Sequence, residues 1–331
     1  MILTFTVFRL WALASPPMPL SMDEAQYWLW SQDLAFGYYS KPPLLAWIIA
    51  ATTAVCGEGE GCIRLSSPLF HAGTALLLFG IGQRLFDSHV GAWSAVTYIA
   101  LPGVSVSSVV ASTDAPLLFF WALALYALVR LRANPKTWLW ILLGVALGFG
   151  ALSKYAMLFF VLGLAVWAAV DRGARILLGS RGAGVAAVVA LLIILPNILW
   201  NADHAFVSVT HVADNMALAQ ARFSLADMLD FVGAQAGILG PVLFIAFVGA
   251  LVRWPPQFKP QLTLLICFCA PVLLLMTLQA FLSRAHANWA ATAYIAAVPV
   301  VVAWCLSRNW ASWLRVSWVL HMVAAVVITN Y

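Results

Sequence analysis

The sequence predicts an all-α polytopic membrane protein. Hydrophobic residues make up 64% of the 331 residues and charged residues only 9%, whereas soluble domains are about 45–50% apolar. Apolar runs of about 15 to 24 residues recur along the whole chain, which is the length typical of membrane-spanning helices. These runs are continuous, whereas the strands of an outer-membrane barrel alternate between apolar and polar residues. The composition therefore excludes both a soluble domain and a barrel.

About eleven transmembrane helices are expected. The first is short, at residues 2–14, and the run at 44–55 is shorter still than a comfortable crossing, so it is expected to lie at the membrane interface. The other spans are expected near residues 65–86, 90–110, 116–131, 138–152, 156–170, 185–200, 228–252, 262–282, 290–306 and 316–329.

The positions of the basic residues predict the orientation, because Lys and Arg collect on the cytoplasmic side of membrane proteins. With the N-terminus inside, eleven basic residues fall in inner loops and five in outer loops, and Arg9 lies within the first span. The net charge of +5 therefore reports topology and does not indicate a nucleic-acid partner. The inner residues are Arg84, Arg130, Arg132, Lys136, Arg172, Arg175, Arg181, Arg253, Lys259, Arg308 and Arg315, and the outer ones are Lys41, Arg64, Lys154, Arg222 and Arg284.

A polar and aromatic stretch at residues 21–43 interrupts this apolar chain in the first outer loop. It contains the adjacent acids Asp23 and Glu24, then an aromatic run, then Lys41 and two prolines. Ser21 and Glu24 have the spacing of a capping box, and an acid in the first helical turn complements the helix dipole, so a structural role is one interpretation of both acids. Adjacent helix positions point about 100° apart. Glu24 can therefore cap the helix while Asp23 projects into a cavity as a partly desolvated general base.

Three further charged residues are candidates for substrate binding. Lys41 is interpreted as a cation for a phosphate group, with a snorkelling interfacial lysine as the alternative. Asp114 lies at the outer start of a span, two residues before Pro116, and its alternative is a helix N-cap. Lys154 lies between two short apolar runs, where a charge is costly unless it lines a cavity or finds a partner. Other polar and aromatic residues expected on the same outer face are Tyr38, Tyr39, Asn197, Trp200, Asn201, His204, His211, Arg284, His286, Asn288 and Trp289.

The cysteines and histidines show no pattern typical of a zinc site. Cys267, Cys269 and Cys305 lie inside apolar runs and are expected to be buried. Cys56 and Cys62 flank a short Gly- and Glu-containing loop, and whether they form a disulfide depends on the compartment that this loop faces.

Six motifs occur in order along nearly the whole chain: DEAQYW (23–28), GYYSKPPLLAW (37–47), STDAP (112–116), LSKYA (152–156), LWNADH (199–204) and HANWAATAY (286–294). Together they resemble the bacterial members of the glycosyltransferase 39 and 83 group, the relatives of protein O-mannosyltransferases and of the lipid A aminoarabinose transferase. The first loop is the most specific part of the resemblance.

The resemblance implies a GT-C fold and transfer of a sugar from a polyprenyl-phosphate donor to a lipid or protein hydroxyl, usually with inversion. It implies that Asp23 is the base and that Glu24, its acidic neighbour, is the second catalytic residue, that Lys41 meets the donor phosphate and that Asp114 is the acid of the second outer loop. Tyr38, Tyr39, Lys154, His286 and Asn288 are expected to bind substrate. The whole chain, 1–331, is expected to be one transmembrane domain of the bacterial inner membrane, with its catalytic loop at about 16–62 facing the periplasm.

Ser40 departs from the pattern of the aminoarabinose transferases, in which a glutamate precedes the lysine. This departure argues against aminoarabinose as the sugar and against metal coordination through that position. The chemistry does not demand a metal, because the leaving group is already a phosphate ester, but a divalent ion stays open. The alternatives from other classes are a transporter or flippase, which would be expected to have matched halves and charges near the midplane, and a non-catalytic scaffold.

Overall fold

The structure, a computed structural model, describes residues 1–14, 18–216 and 223–329. Arg222 and the first residues of the expected catalytic loop lie outside the described residues. The described chain is built of α-helices and short 3-10 turns and contains no strand. Its helices are α1 (Ile2–Ala12), α2 (Met22–Ser31), α3 (Leu44–Cys56), α4 (Glu60–Arg64), α5 (Ser66–Leu85), α6 (Ser88–Ala100), α7 (Pro102–Ser107), α8 (Asp114–Ala133), α9 (Thr137–Ser153), α10 (Leu158–Val170), α11 (Arg172–Leu178), α12 (Arg181–Asp203), α13 (Val207–Met216), α14 (Leu225–Leu239), α15 (Pro241–Val252), α16 (Lys259–Leu282), α17 (Ala293–Ser307) and α18 (Ala311–Thr329).

Long apolar helices confirm a multi-pass membrane protein. Within the described residues, five helices are long and apolar enough to cross a membrane. The bent pair of α14 and α15 makes a sixth span when the two helices are counted as one crossing. The expected number of eleven crossings is not confirmed. Helices α1, α9, α10 and α17 are apolar but fall short of the roughly 20 residues that cross the hydrocarbon core without thinning or burial among neighbours.

Two of the expected spans are broken rather than continuous. The run at 90–110 divides at Pro102, where α6 ends and α7 begins. The run at 228–252 divides at Gly240, which has a φ of 87°, and the two halves are bent by 108°. Proline cannot continue the hydrogen bonds of the preceding helix, and glycine accepts a positive φ without strain. Both runs are apolar throughout, so the sequence analysis predicted continuous spans despite Pro102 and Gly240.

Helix α8 runs through the centre of the molecule and carries a charge at each end. Trp121, Leu125 and Leu128 in its middle are fully buried. Asp114 begins the helix, and at the far end the guanidinium groups of Arg84 and Arg130 lie 5.1 Å and 5.7 Å from the Tyr126 ring. At 1.5 Å per residue, Asp114 and Tyr126 are about 18 Å apart along the axis. The two arginines that were assigned to one side of the membrane therefore lie together, opposite Asp114.

The first outer loop has a small hydrophobic core of its own. Tyr27 of α2, Leu45 and Ile49 of α3, and Ile63 of α4 pack against Ala111, which lies in the segment leading into α8. A disulfide joins Cys56 to Cys62 across the turn between α3 and α4. This loop is thus a folded unit, attached to the start of α8. The remaining cysteines are buried, as expected, at Cys267, Cys269 and Cys305.

Candidate active site

Glu24 is buried at the centre of the first loop, where its carboxylate accepts four hydrogen bonds. Its carboxylate accepts from Nε of Arg64 at 2.7 Å and from Nη2 of Arg64 at 2.9 Å. It also accepts from the backbone N–H groups of Ser21 and Ala111, each at 2.9 Å. Ser21 Oγ accepts from the N–H of Glu24 in return, which confirms the capping box. Glu24 is only 2% exposed, so its carboxylate does not reach a substrate in this structure.

The Glu24–Arg64 pair holds three separate segments together. Burial alone would raise the pKa of Glu24, but the hydrogen bonds from Arg64, Ser21 and Ala111 outweigh it and hold that pKa below its usual range. The same contact raises the pKa of Arg64, against the effect of its burial. Arg64 also donates to two backbone carbonyls just before α2. The pair therefore ties α2, α4 and the segment before α8 into one unit. Sequence analysis missed Arg64, which belongs to no recognisable local motif.

Asp23 lies one residue earlier in α2 and is exposed. Tyr27, one turn later on the same face, donates its hydroxyl to Oδ2 of Asp23 at 3.4 Å. Burial of Tyr27, followed by the charges of Asp23 and Asp114, raises the pKa of its phenol. Tyr27 therefore keeps its proton and remains a donor. The two acids occupy different environments, with Glu24 in the buried ion pair and Asp23 on an open face.

Asp114 is held by side chains from two distant segments. Its Oδ1 lies 2.7 Å from Nζ of Lys154, and its Oδ2 accepts from Nδ2 of Asn288 at 2.7 Å. Thr113 occupies the N-cap and Asp114 is the first residue of α8, so the interpretation of Asp114 as the N-cap is wrong. The requirement that Lys154 find a partner or a cavity is confirmed. This ion pair joins the second outer loop to the α9–α10 junction.

Lys41 lies near Lys154 without a carboxylate of its own. Among the described residues, no acidic oxygen lies within 4.0 Å of its ammonium group. Burial, and then the positive charge of Lys154, lower the pKa of Lys41, while Asp23 and Asp114 oppose that shift. The four charged groups therefore lie within electrostatic reach of one another. Lys41 is the cation of this group that has no fixed partner.

Lys41 and Lys154 line a cavity of about 300 Å³, called the lysine cavity below. Among the described residues they are its only Lys, Arg, Asp or Glu lining residues, and apolar side chains form most of the remaining wall. Two cations beside an apolar wall suit a ligand whose anionic head group is joined to a hydrocarbon chain. The rest of the lining consists of Ser40, Pro42, Tyr155, Ala156, Leu158, Phe159, His211, Val212, Asn215, Met216, Met276 and Trp289.

A chain of hydrogen bonds links the segments that carry the two lysines. Tyr155, which follows Lys154, donates its hydroxyl to Oδ1 of Asn197 at 3.0 Å. Asn197 Nδ2 donates to the carbonyl of Phe36 at 2.7 Å, in the loop that leads to Lys41. Asn197 is 1% exposed, so this connection is protected from water. Tyr155 and Asn197 therefore connect the segment of Lys154 to the loop that carries Lys41.

Tyr38 supports this loop from behind and does not face the lysine cavity. Its ring stacks on Trp30 with 4.7 Å between centroids, and its hydroxyl donates to the carbonyl of Trp30 at 2.9 Å. Ser208 of α13 donates to the carbonyl of Tyr38. The preceding residue, Gly37, lies directly against the Trp200 ring, with no space for a side chain. The structure therefore gives Tyr38 a structural position, different from the substrate contact expected for it.

The remaining candidates lie at the periphery of the site. Tyr39 is exposed, and its ring lies 5.0 Å from the ring of His211, which lines the lysine cavity. His286 contacts Trp289 edge to face at 5.2 Å and precedes Asn288. Among the described residues, no three His, Cys, Asp or Glu side chains are arranged to hold a metal ion. The residues brought together are Asp23, Lys41, Asp114, Lys154 and Asn288, with Glu24, Arg64, Tyr38, Tyr155 and Asn197 supporting them.

Comparisons with known proteins place this chain in a family. Residues 40–200 match the family model for dolichyl-phosphate-mannose-protein mannosyltransferase. The chain is 38% identical to lipid A galacturonosyltransferase RgtD of Rhizobium johnstonii, over 98% of this chain and 69% of the relative. It is 32% identical to an undecaprenyl phosphate-alpha-4-amino-4-deoxy-L-arabinose arabinosyl transferase of Pseudomonas aeruginosa, over 51% of this chain and 32% of the relative.

Solved structures show the same fold. ArnT from Cupriavidus metallidurans bound to undecaprenyl phosphate superposes with a TM-score of 0.72 at 17% identity, over 99% of this chain and 62% of that chain. The apo oligosaccharyltransferase of Archaeoglobus fulgidus gives 0.61 at 10% identity, over 100% of this chain and 56% of that chain. The chain thus spans about three fifths of the solved chains and about a third of some curated relatives.

The helical fold and these similarities define a membrane glycosyltransferase of the GT-C class, which confirms the predicted fold and enzyme class. A transporter is not favoured. Within that class, the chain belongs to the family that contains the lipid A galacturonosyltransferase RgtD.

Proposed function

We propose that the protein transfers a sugar from a polyprenyl-phosphate donor to a hydroxyl group of lipid A or a related glycolipid, with inversion at the anomeric carbon. The observation that carries this proposal is the lysine cavity, where two cations and an apolar wall lie within electrostatic reach of Asp23 and Asp114. The names of the relatives, which include lipid A and undecaprenyl phosphate, support the same pair of substrates.

Lys41 is proposed to bind the donor phosphate. Of the two lysines that line the cavity, Lys41 has no acidic partner among the described residues, whereas Lys154 is already paired with Asp114 at 2.7 Å. The negative charge on the phosphate increases as the bond to the sugar breaks, and a nearby ammonium group stabilises that charge. Lys154 adds a second positive charge to the same cavity. The apolar wall, including Phe159 and Met276, accommodates the start of the polyprenyl chain.

Asp23 is proposed as the general base. It accepts the proton of the acceptor hydroxyl as that oxygen bonds to the anomeric carbon, and the bond from this carbon to the phosphate oxygen breaks. Polyprenyl phosphate leaves with the bonding electron pair. The exposed position of Asp23 and its hydrogen bond from Tyr27 suit this role, because the carboxylate is oriented and accessible.

Glu24 is proposed to position the site and not to take part in chemistry. Both of its oxygens accept hydrogen bonds from Arg64, and they also accept from two backbone N–H groups. One of those groups belongs to Ala111, three residues before Asp114. Glu24 therefore connects the helix that carries Asp23 to the segment that carries Asp114, which fixes the two acids relative to each other.

A uronic acid is proposed as the transferred sugar. The relative that matches over most of its length carries galacturonosyltransferase in its name, whereas the aminoarabinose enzymes match over about half of this chain. Ser40 lines the lysine cavity without adding a negative charge, and both charged lining residues are cations. A second anionic group on the donor suits this cavity better than a positively charged amino sugar does.

The catalytic loop is proposed to face the periplasm from the inner membrane, with the whole chain 1–331 acting as one transmembrane domain. The excess of Lys and Arg in the opposite loops supports this orientation. The Cys56–Cys62 disulfide in the same loop is consistent with an oxidising compartment.

A competition experiment in proteoliposomes tests the function. The purified protein is given lipid A together with two donors in equal amount, undecaprenyl-phosphate galacturonic acid and undecaprenyl-phosphate aminoarabinose, and the lipid A is analysed by mass spectrometry. We expect the mass increment of a hexuronic acid. The increment of an aminopentose would overturn the proposed sugar. If the protein binds undecaprenyl phosphate but leaves the lipid A unmodified, the proposal that lipid A is the acceptor would be overturned.

A further inference from the structure

Two arginines converge on one aromatic ring at the end of α8 that lies opposite the catalytic loop. The guanidinium carbon of Arg84, in the last turn of α5, lies 5.1 Å from the centroid of the Tyr126 ring, and that of Arg130 lies 5.7 Å from it. We propose that this arginine pair binds the phosphate head group of an anionic phospholipid, and that an acyl chain of the same lipid lies along α8. This lipid is a component of the membrane and is neither the sugar donor nor the acceptor.

The arginine pair has no acidic counter-ion. Among the described residues, no Asp or Glu oxygen lies within 4.0 Å of either guanidinium group. Asp87, three residues after Arg84, accepts from the backbone N–H of Val90 through Oδ1 and so caps α6. The face of an aromatic ring attracts a cation, but two like charges beside one ring still repel each other. A bound phosphate offsets that repulsion.

The two guanidinium groups have donors left for a phosphate. Arg130 donates from Nη1 to the hydroxyl of Tyr126 at 3.1 Å. The Arg84 guanidinium has no hydrogen-bond partner within the described part of the chain. Arginine carries five N–H donors in a planar fork that matches the geometry of phosphate oxygens. The pair can therefore bind a phosphate without breaking an existing contact.

Trp138 indicates that the arginine pair lies at the level of the lipid head groups. The Arg130 guanidinium lies 5.1 Å from the Trp138 ring, which is 47% exposed in the first turn of α9. Tryptophan is enriched at membrane–water interfaces. Arg132 and Lys136 are exposed in the same α8–α9 connection. Positive charge at this level attracts anionic lipids in preference to zwitterionic ones.

One side of α8 forms an open stripe that leads away from the arginine pair. Between residues 115 and 131 the helix is buried except at five positions on this side: Phe119, Phe120, Leu123, Tyr126 and Arg130. The stripe lies between α5 and α9. The Phe119 and Tyr126 rings lie directly against Gly73 and Gly80 of α5, with no space for a side chain at either glycine. On the other side, Phe120 stacks on Phe149 of α9 with 5.6 Å between ring centroids.

The length of the stripe matches one leaflet of a bilayer. From Phe119 to Arg130 the helix rises about 16 Å, at 1.5 Å per residue. Half of a typical hydrocarbon core is about 15 Å thick. Leu76 of α5 and Ile141 of α9 are 61% and 44% exposed, so the helices on both sides of the stripe face the lipid. An acyl chain that starts at the arginine pair therefore ends near Phe119, at the middle of the membrane.

A lipid in this position contacts α5, α8 and α9 at once. These three helices are brought together only in the folded protein, so the lipid binds the folded state in preference to the unfolded chain. Such a ligand raises the thermal stability of the protein. The arginine pair is therefore a site through which anionic lipid stabilises the membrane domain.

Native mass spectrometry of the full chain in detergent tests the site. The affinities for dioleoyl phosphatidylglycerol and dioleoyl phosphatidylcholine are measured for wild type and for two variants. We expect wild type to bind phosphatidylglycerol more tightly, and Arg84→Gln to weaken that binding about fivefold while changing phosphatidylcholine binding less than about twofold. Arg132→Gln, an exposed arginine two residues from Arg130, is the matched control and should keep the wild-type affinities.

Thermal unfolding gives a second readout and separates the lipid from a free phosphate. Phosphatidylglycerol should raise the Tm of wild type, and this rise should be lost in Arg84→Gln and largely kept in Arg84→Lys, which retains the charge. Equal phosphatidylglycerol affinities for Arg84→Gln and Arg132→Gln would overturn the site. Equal binding of the two lipids by wild type would overturn the anionic head group. If glycerol 3-phosphate, which has no acyl chain, raised the Tm as much as phosphatidylglycerol does, the assignment of the stripe to an acyl chain would be overturned.

Discussion

Replacing Glu24 with glutamine should destabilise the first loop far more than the same change at the neighbouring Glu60. The substitution keeps the shape of the side chain but leaves the Arg64 guanidinium, 3% exposed, with only the distant carboxylate of Glu60 at 3.9 Å. Removing one partner of a buried ion pair typically costs about 3–5 kcal/mol, because the remaining charge stays desolvated. Glu60 offers a matched control, since it lies 3.9 Å from the same arginine but is 37% exposed. For Glu60→Gln we expect a loss below about 1 kcal/mol.

The buried cysteines provide the assay. Cys267, Cys269 and Cys305 are free and buried, so a thiol-reactive fluorophore labels them only as the protein unfolds. Melting curves in detergent should show a clear decrease in Tm for Glu24→Gln and almost none for Glu60→Gln. In the double variant Glu24→Gln/Arg64→Met the loss should be smaller than the sum of the two single losses, because no buried charge is left unpaired.

The pH dependence gives a further test of the same ion pair. The pKa of Glu24 is held below its ordinary value of 4.5 in the folded protein. Its contribution to stability is therefore complete above the unfolded-state pKa and is lost as the pH falls through the folded-state pKa. Wild type and Glu24→Gln should differ most at neutral pH and converge in acid. Equal Tm values for Glu24→Gln and Glu60→Gln at pH 7 would refute the view that the buried pair holds the site together.

Three other perturbations have defined outcomes. The pKa of Lys41 is lowered, so this lysine loses its charge at a lower pH than an ordinary lysine does. The affinity for undecaprenyl phosphate should therefore fall as the pH rises through that pKa, and Lys41→Arg should remove this decline. An equal decline in the variant would contradict the role of Lys41. Tyr155→Phe removes the hydrogen bond to Asn197 and should raise KM for the donor about fivefold with little change in kcat. Tyr39→Phe, at an exposed tyrosine, serves as the control. Equal KM values for the two variants would argue against the link between the lysine segments. Replacing both Cys56 and Cys62 with serine should cost about 2 kcal/mol of stability, seen as a lower Tm in the fluorophore assay, and an unchanged Tm would argue against a stabilising disulfide.

Local spacing allowed part of the site to be predicted. The capping box follows from Ser21 and Glu24 being three residues apart, and the separation of Glu24 from Asp23 follows from helix geometry. Lys154 was expected to need a partner because of the cost of a charge between apolar runs. Its identity as Asp114, 40 residues away, depends on how the helices pack, which no local pattern encodes.

Other features could not be predicted from the sequence because they depend on tertiary contacts. Arg64 looked like an ordinary outer charge, and only the approach of α4 to α2 makes it the partner of Glu24. Tyr38 was expected at the substrate, but its ring finds a stacking partner in Trp30. The breaks at Pro102 and Gly240 did have local signals, which the continuous hydropathy of the two runs outweighed.

The most direct test of the proposed mechanism is the rate of sugar transfer by Asp23→Asn in proteoliposomes. Asn is nearly the same size but does not accept the proton, and a general base contributes about 10²- to 10⁴-fold to the rate. We expect a loss within that range, with undecaprenyl phosphate affinity and Tm close to those of wild type. Asp33→Asn, an exposed acid just after α2, should keep full activity. Transfer by Asp23→Asn at a rate close to wild type would contradict the role of Asp23 as the base.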